Sequence, residues 1–206
     1  MEKIENIIFD IGGILLDIDY NRTRNALEKL GITDFNQMYS QADANQLFQP
    51  LETGKISEQD FSTELTPCTG LNLSPEDIRN AWNAMLLSFR ESSLQFLDNI
   101  RPKYKLFLLS NTNYIHLTSF NEIFQNKKRD KPFEKYFEKV FYSCAIGLRK
   151  PDIVCYKWIL NRLNIEGCKN LFIDDSVQNI EGAKKAGLQT ILLTPEKKIE
   201  NLGLSW

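Results

Sequence analysis

The chain has 206 residues, of which 42% are hydrophobic and 25% are charged, and its formal net charge is −2. This composition is typical of a globular protein, and the length suits one domain with an insert or with a smaller second domain. The one basic run, Lys127–Arg129, is too short to indicate nucleic-acid binding. No apolar stretch reaches the ~20 residues of a membrane helix, and no secretory signal is recognisable. We therefore expect a cytoplasmic protein with neither nucleic-acid nor membrane partners.

The cysteines and the single histidine do not predict a zinc site. Cys68, Cys144, Cys155 and Cys168 show no C-x-x-C spacing, and His116 has no second histidine to share a metal with. We expect reduced thiols in the core, and a histidine that caps or packs on a helix.

Five short apolar segments predict β-strands, and helices are predicted between most of them. Each segment is continuously apolar rather than alternating, which favours strands buried on both faces of a parallel sheet. Helical spacing appears at residues 114–124, 153–163 and 177–186. The alternation predicts an α/β fold with a doubly wound parallel-sheet, Rossmann-like core. The predicted strands are Ile4–Phe9, Leu106–Leu109, Val140–Tyr142, Leu171–Ile173 and Thr190–Leu193.

The interval from about Tyr20 to Phe89 breaks this alternation and predicts an inserted, all-helical cap. It contains no convincing strand, and helix starts are marked by Ser57 and Ser74, each with an Asp three residues later. Apolar residues continue at helical spacing up to Leu86. We therefore predict a catalytic core of residues 1–17 and 93–206, and a cap of residues 18–92.

Polar and charged residues follow the predicted strands, at the edge where open parallel sheets bind ligands. A carboxylate can attack phosphorus, magnesium prefers oxygen ligands, and a lysine offsets the charge of a phosphoryl group. Taken singly, each acid also fits a turn or a helix cap, and only their joint occurrence predicts a magnesium-dependent phosphoryl-transfer site. The residues are Asp10, Ser110 with Asn111, Lys150, and Asp174 with Asp175.

Four segments around these residues resemble the motifs of the haloacid dehalogenase-like hydrolase superfamily. They read FDIGG, LLSNT, LRKPD and FIDDSVQNIEGAKKAGL, and the match spans nearly the whole chain. The helical insert is similar to the cap of the subgroup that carries it between the first and second motifs. Within the superfamily, the sequence resembles bacterial α-glucose-1-phosphate phosphatase-like proteins. The resemblance implies a phosphatase that hydrolyses a small phosphorylated metabolite, with a sugar phosphate favoured, through an aspartyl-phosphate intermediate.

The resemblance also implies a magnesium site. Asp10 would be both nucleophile and metal ligand, and Gly12 would offer its backbone carbonyl. Asp175 would bind the metal directly, whereas Asp174 would act through water, with Asn179 in a supporting position.

The same resemblance implies a phosphoryl-binding set. Ser110 and Asn111 would hold the phosphoryl group, and Lys150 would bridge it to Asp10. Specificity is expected in the cap, near Arg22, Glu52 and Lys55, which the sequence alone does not orient.

Gly12 departs from the pattern of the superfamily, in which most phosphatases carry a second Asp at this position. That residue acts as a general acid and base, which is typically worth ~10²–10⁴-fold in rate. Asp17 or Asp19 is one candidate replacement, although both also fit as caps of the helix that follows. A phosphomutase and a dehalogenase are less consistent with these residues. A catalytically weak or inactive protein of this fold, binding a phosphometabolite or a partner, stays open. In either case we expect a monomer or a homodimer.

Overall fold

A computed structural model describes residues 3–32, 47–69, 73–127 and 129–204 of the chain, with residues 66–69 described by their backbone alone. The predictions for Lys128 and for the side chain of Cys68 fall outside this part. The structure has a five-stranded sheet and a separate two-stranded ribbon. The strands are β1 (Asn6–Phe9), β2 (Leu16–Ile18), β3 (Leu86–Phe89), β4 (Lys105–Ser110), β5 (Lys139–Tyr142), β6 (Asn170–Asp174) and β7 (Gln189–Leu192).

The helices cover both the sheet and the inserted segment. Short 3₁₀ turns occur at Phe133–Tyr136, Gly167–Lys169 and Ile199–Asn201. The α-helices are α1 (Tyr20–Lys29), α2 (Phe48–Glu52), α3 (Glu58–Thr69), α4 (Pro75–Asn83), α5 (Glu91–Ile100), α6 (Tyr114–Gln125), α7 (Ser143–Ile146), α8 (Ile153–Leu163) and α9 (Val177–Lys185).

The main sheet has the order β5-β4-β1-β6-β7, and all its neighbouring strands are parallel. Its two faces bury separate apolar clusters, because successive side chains of a strand point to opposite faces. In β1, Ile7 and Phe9 belong to one cluster and Ile8 to the other. Burial on both faces is the reason why the strand sequences are continuously apolar. The predicted doubly wound α/β core with five strands is thus confirmed.

A third apolar cluster holds the inserted helices together. It includes Phe48, Phe61 and Trp82, and it also takes in Ile115 of helix α6, which packs the insert against the sheet domain. The predicted helix starts are present, since the Ser57 and Ser74 hydroxyls accept hydrogen bonds from backbone N–H groups three residues later.

One prediction for the insert is wrong. Helix α4 ends at Asn83, and the residues after it form β3, which pairs antiparallel with β2. Leu86 therefore lies in a strand rather than at the end of a helical pattern. The partner strand is about seventy residues away in the chain, so no local pattern indicates the pairing. The ribbon lies at the predicted boundary between core and cap, and that division itself stays a prediction. Among the described residues, no helix has the length and apolar character needed to span a membrane.

Candidate active site

Three polar residues lie where parallel strands end side by side. Asp10 directly follows β1, Ser110 is the last residue of β4, and Asp174 is the last residue of β6. The backbone N–H of Asp10 donates to the carbonyl oxygen of Ile173 at 3.0 Å, so the first acid stays in register with β6. The sheet itself therefore brings these side chains together, as the sequence predicts.

Lys150 connects two of the acids from inside the protein. Only 1% of this residue is exposed, and its Nζ lies 2.8 Å from Oδ1 of Asp10 and 2.6 Å from Oδ2 of Asp174. Burial alone would lower the pKa of Lys150, but the two carboxylates outweigh it and hold the pKa above its ordinary value. The lysine is therefore a fixed positive charge beside the predicted nucleophile.

Asn111 holds the loop that carries this lysine. Its Nδ2 donates to the backbone carbonyl of Lys150 at 2.8 Å, and its Oδ1 accepts from the backbone N–H of Lys150 at 2.9 Å. In the structure, the Asn111 side chain thus positions Lys150. Its predicted contact with a phosphoryl group stays a prediction, as does that of Ser110, which lines the same cleft.

Asp174 is fully buried and is surrounded by hydrogen-bond donors from the protein. Besides Lys150, the N–H of Ser176 donates to its Oδ1 at 2.8 Å, and Nδ2 of Asn179 lies 3.0 and 3.1 Å from its two oxygens. Both oxygens of Asp174 are thus hydrogen-bonded within the protein, and its predicted role through water stays a prediction. Asn179, which the sequence predicts in a supporting position, donates a hydrogen bond to Asp174.

The three acids have the composition of a divalent-cation site. Carboxylate oxygens of Asp10, Asp174 and Asp175 lie within 4.8 Å of one another, which concentrates negative charge, and Lys150 contacts two of these acids. Burial raises the pKa of Asp10 to about 7, Lys150 opposes this, and the two other acids add to it. A bound cation would relieve this excess of negative charge, and oxygen-only ligands suit magnesium.

Gly13 allows the loop after Asp10 to approach Asp175. Its φ is +68°, and a Cβ atom at this position would lie 2.1 Å from Oδ2 of Asp175. Both the backbone conformation and the close contact therefore require glycine. Arg90 supports the same loop, because its Nη1 donates to the carbonyl oxygens of Gly13 at 2.7 Å and of Ile14 at 3.2 Å.

At Gly12 the nearest neighbour is the end of an apolar side chain. A Cβ atom there would lie 2.6 Å from Cδ1 of Ile18, which lines the cleft from strand β2. The space in which a second acid is expected is therefore next to an apolar side chain. This neighbour is not predictable from the sequence, because the turn between the two residues determines their contact.

Both candidate replacement acids form contacts outside the cleft. Asp19 caps α1, where its side chain accepts a hydrogen bond from the N–H of Asn21 at 3.0 Å. Asp17 pairs with Nε of Arg90 at 2.6 Å. Neither acid is among the described residues that line the cleft. The capping alternative therefore holds for Asp19, whereas Asp17 binds the arginine that supports the loop after Asp10.

The cleft lies between these strand ends and the inserted helices, and it encloses about 750 Å³ including its open mouth. Of the three cap residues expected near the substrate, Glu52 lines it, whereas Arg22 and Lys55 are not among the described lining residues. Several other polar residues line the cleft without having been predicted to do so, although Thr112 and Arg149 lie inside the recognised motifs and Asn113 directly follows one. These missed residues are Tyr20, Thr112, Asn113, His116 and Arg149.

His116 forms part of the wall where the cap meets the core. Its Nδ1 lies 2.8 Å from Oδ1 of Asn83, and its ring stacks on Trp82 with centroids 4.9 Å apart. Burial lowers the pKa of His116 to about 3, so the ring is neutral near pH 7. The prediction of a packed rather than metal-binding histidine agrees with these contacts.

Comparison with known proteins gives matches that span most of the chain. A family model described as haloacid dehalogenase-like hydrolase matches residues 4–187. The D-ribitol-5-phosphate phosphatase of Bacteroides thetaiotaomicron is 30% identical over 188 residues, covering 91% of this chain and 90% of that protein.

Solved structures extend the comparison to three dimensions. A mutant of a HAD-family enzyme from Bacteroides thetaiotaomicron, crystallised with magnesium and inorganic phosphate, has a TM-score of 0.92 at 28% identity, covering 98% of this chain and 100% of that one. A predicted HAD-like hydrolase from Porphyromonas gingivalis has a TM-score of 0.85 at 30% identity, covering 95% and 94%. The match over most of the chain, together with the fold and the acid–lysine cluster, shows that this protein is an enzyme of the haloacid dehalogenase-like hydrolase family.

Proposed function

We propose that this enzyme is a magnesium-dependent phosphatase that hydrolyses a small phosphorylated metabolite, with a sugar phosphate favoured. The observation that carries the proposal is the buried Lys150 between Asp10 and Asp174, with the Asp175 carboxylate in the same cluster. Relatives support it: one is a D-ribitol-5-phosphate phosphatase, and a similar structure holds magnesium and phosphate. The cap-side cleft favours a substrate small enough to enter it.

In the proposed mechanism, Asp10 attacks phosphorus and the ester P–O bond breaks. An aspartyl-phosphate forms, and the leaving alcohol takes its proton from solvent. Water then attacks the phosphorus of this intermediate, which releases inorganic phosphate and restores the carboxylate. Lys150 keeps Asp10 oriented and offsets the negative charge on the transferring oxygens, while Ser110 donates a hydrogen bond to them.

The acid cluster would hold the metal in this proposal. Asp10, Asp175 and the backbone carbonyl of Gly12 would bind it directly, and Asp174 would act through water. Bound magnesium would neutralise charge on the phosphoryl group. Their oxygen donors and their excess negative charge fit this ion.

The missing acid gives the proposal a kinetic signature. Gly12 has no side chain, and Ile18 lies beside the space that an acid would fill. Leaving groups that need protonation should therefore react slowly, whereas good leaving groups should react faster. The same feature supports a second candidate, a catalytically weak protein of this fold that binds a phosphometabolite.

A panel of phosphate monoesters, including p-nitrophenyl phosphate and sugar phosphates, tests the two candidates. The wild type should hydrolyse members of the panel with magnesium, and EDTA should stop the reaction. Asp10→Asn should fold normally and lose at least ~10³-fold in kcat, because it lacks the nucleophile. Asp98→Asn, an exposed acid remote from the cleft, serves as the matched control. Intact folding without turnover on any ester would favour the binding protein, and full activity of Asp10→Asn would exclude Asp10 as the nucleophile.

A further inference from the structure

The positive charges of the cleft are few. Among the described residues that line it, Arg149 and Lys150 are the two cationic side chains, and His116 is neutral. The segments 33–46 and 70–72, which belong to the predicted cap, contain no Lys, Arg or His in their sequence. A substrate that enters this cleft therefore meets at most two cationic side chains from the described lining.

Both of these cations already have anionic partners. Lys150 contacts Asp10 and Asp174. Nη2 of Arg149 lies 2.8 Å from Oε2 of Glu52, and the two side chains are only 14% and 8% exposed. In such a shielded position, an ion pair is screened by solvent much less than a pair on the surface. A second anionic group on the substrate would therefore approach an arginine whose charge Glu52 already offsets.

The position of Glu52 is well defined. It is the last residue of α2, and two residues later Gly54 packs so closely on the core that a Cβ atom there would lie 2.2 Å from the carbonyl oxygen of Cys144. Arg149 directly precedes Lys150. The Asn111 side chain forms hydrogen bonds with both the backbone N–H and the backbone carbonyl of Lys150. The carboxylate of Glu52 is thus tied to the loop that carries the catalytic lysine.

The remaining polar lining is suited to hydroxyl groups. Tyr20, Asn113 and neutral His116 are uncharged groups that can donate or accept hydrogen bonds, and all three line the cleft. A polyhydroxylated chain can exchange hydrogen bonds with such groups without bringing in charge. A carboxylate or a second phosphate, in contrast, would meet the negative charge of Glu52.

We infer that the Glu52–Arg149 pair selects substrates with one phosphoryl group on an otherwise uncharged, polyhydroxylated body, and rejects bisphosphates and phosphorylated sugar acids. This inference rests on the proposed phosphatase function. The pair acts as a specificity determinant, because Glu52 keeps Arg149 from serving a second anion. Neither the fold nor the catalytic residues determine this substrate class.

Three compounds that share a five-carbon chain test the inference: a pentitol 5-phosphate, the pentonate 5-phosphate and the pentitol 1,5-bisphosphate. With magnesium, the wild type should show kcat/KM at least about tenfold higher for the first than for the other two. Glu52→Gln leaves Arg149 without its anion, so the relative kcat/KM for the two more anionic compounds should rise at least about tenfold. Ratios within one preparation cancel any loss of folded enzyme.

Two further variants identify the source of such a shift. Glu52→Gln combined with Arg149→Gln should lose the gain, because the exposed cation is gone. Glu58→Gln is the matched control: Glu58 is also a cap acid paired with an arginine, Arg79, but it does not line the catalytic cleft. It should keep the wild-type ratios.

Equal kcat/KM values for the three compounds in the wild type, or unchanged ratios in Glu52→Gln, would overturn the inference while leaving the phosphatase proposal intact. Lack of turnover on every ester would instead refute the phosphatase proposal. Dissociation constants of the same compounds for Asp10→Asn with magnesium then test selection without turnover. The pentitol 5-phosphate should bind at least about tenfold tighter than the other two, and equal affinities would overturn the inference.

Discussion

The floor and the cap-side wall of the cleft are built in different ways. On the floor, Asp10 and Asp174 lie at the ends of neighbouring strands of one sheet, and Lys150 binds both from inside. On the wall, Glu52 of α2 meets Arg149 of the core loop, so the contact joins the cap to the core. The floor is therefore set by strand register, whereas the wall depends on how the cap docks. We expect the floor to determine the reaction and the wall to determine the substrate.

The largest expected effect comes from removing the cation of the floor. Lys150→Met leaves Asp10 and Asp174 without their shared counter-charge and removes the positive charge beside the phosphoryl group. We expect kcat/KM to fall by about 10²–10³-fold, and the metal-free protein to lose about 3–5 kcal/mol of unfolding free energy. Steady-state kinetics and denaturant unfolding in EDTA measure the two effects.

Lys169→Met is the control for this variant, since Lys169 forms exposed ion pairs away from the cleft. It should change neither quantity by much. Wild-type activity in Lys150→Met would show that the buried lysine only stabilises the fold. It would contradict the expectation that the floor of the cleft determines the reaction.

An intermediate effect is expected from rebuilding the missing acid. Gly12→Asp alone places a side chain against Cδ1 of Ile18, and Ile18→Val removes that one atom. The double variant should hydrolyse alkyl phosphates at least about tenfold faster than the wild type, since a general acid is worth ~10²–10⁴-fold. The gain on p-nitrophenyl phosphate should be smaller, because its leaving group needs little protonation.

Ile18→Val by itself controls for the altered cleft wall and should leave the ratio of the two rates unchanged. An equal gain on both substrates would mean that the new side chain acts through packing or binding rather than as an acid.

The expected effect that is smallest near neutral pH concerns stability at the wall. His116 has a pKa of about 3 in the folded protein, against about 6.5 when unfolded. Below pH 6.5 the unfolded chain therefore binds a proton that the folded protein does not. The contribution of His116 is complete above pH 6.5 and should be lost by about 1 kcal/mol per pH unit as the pH falls toward 4.

His116→Gln removes this titration and keeps a polar group near Asn83. Unfolding free energies of the two proteins, measured from pH 7 to pH 4, should show the wild type losing stability relative to the variant. The raised pKa of Asp10 has the opposite effect on the wild type, but it is common to both proteins and cancels in the difference. Parallel pH profiles would show that His116 is not buried in its neutral form.

The sequence by itself determined the sheet and the composition of its catalytic edge. Apolar runs identify strands buried on both faces, and a residue directly after such a run lies at the strand end, so Asp10 and Asp174 are readable from local order. Lys150 lies eight residues beyond the end of β5, and the family resemblance implied its contact with Asp10 but not its contact with Asp174.

Only the tertiary structure decided the features that join distant parts of the chain. These are the pairing of β2 with β3, the packing of Ile18 beside Gly12, and the contact between Glu52 and Arg149. Each of these contacts depends on how the chain turns or on how the insert docks. A local pattern of apolar residues encodes neither the turns nor the docking. Local patterns determine which elements form, because they reflect burial along one segment. Contacts between segments depend on packing, which is a property of the whole fold.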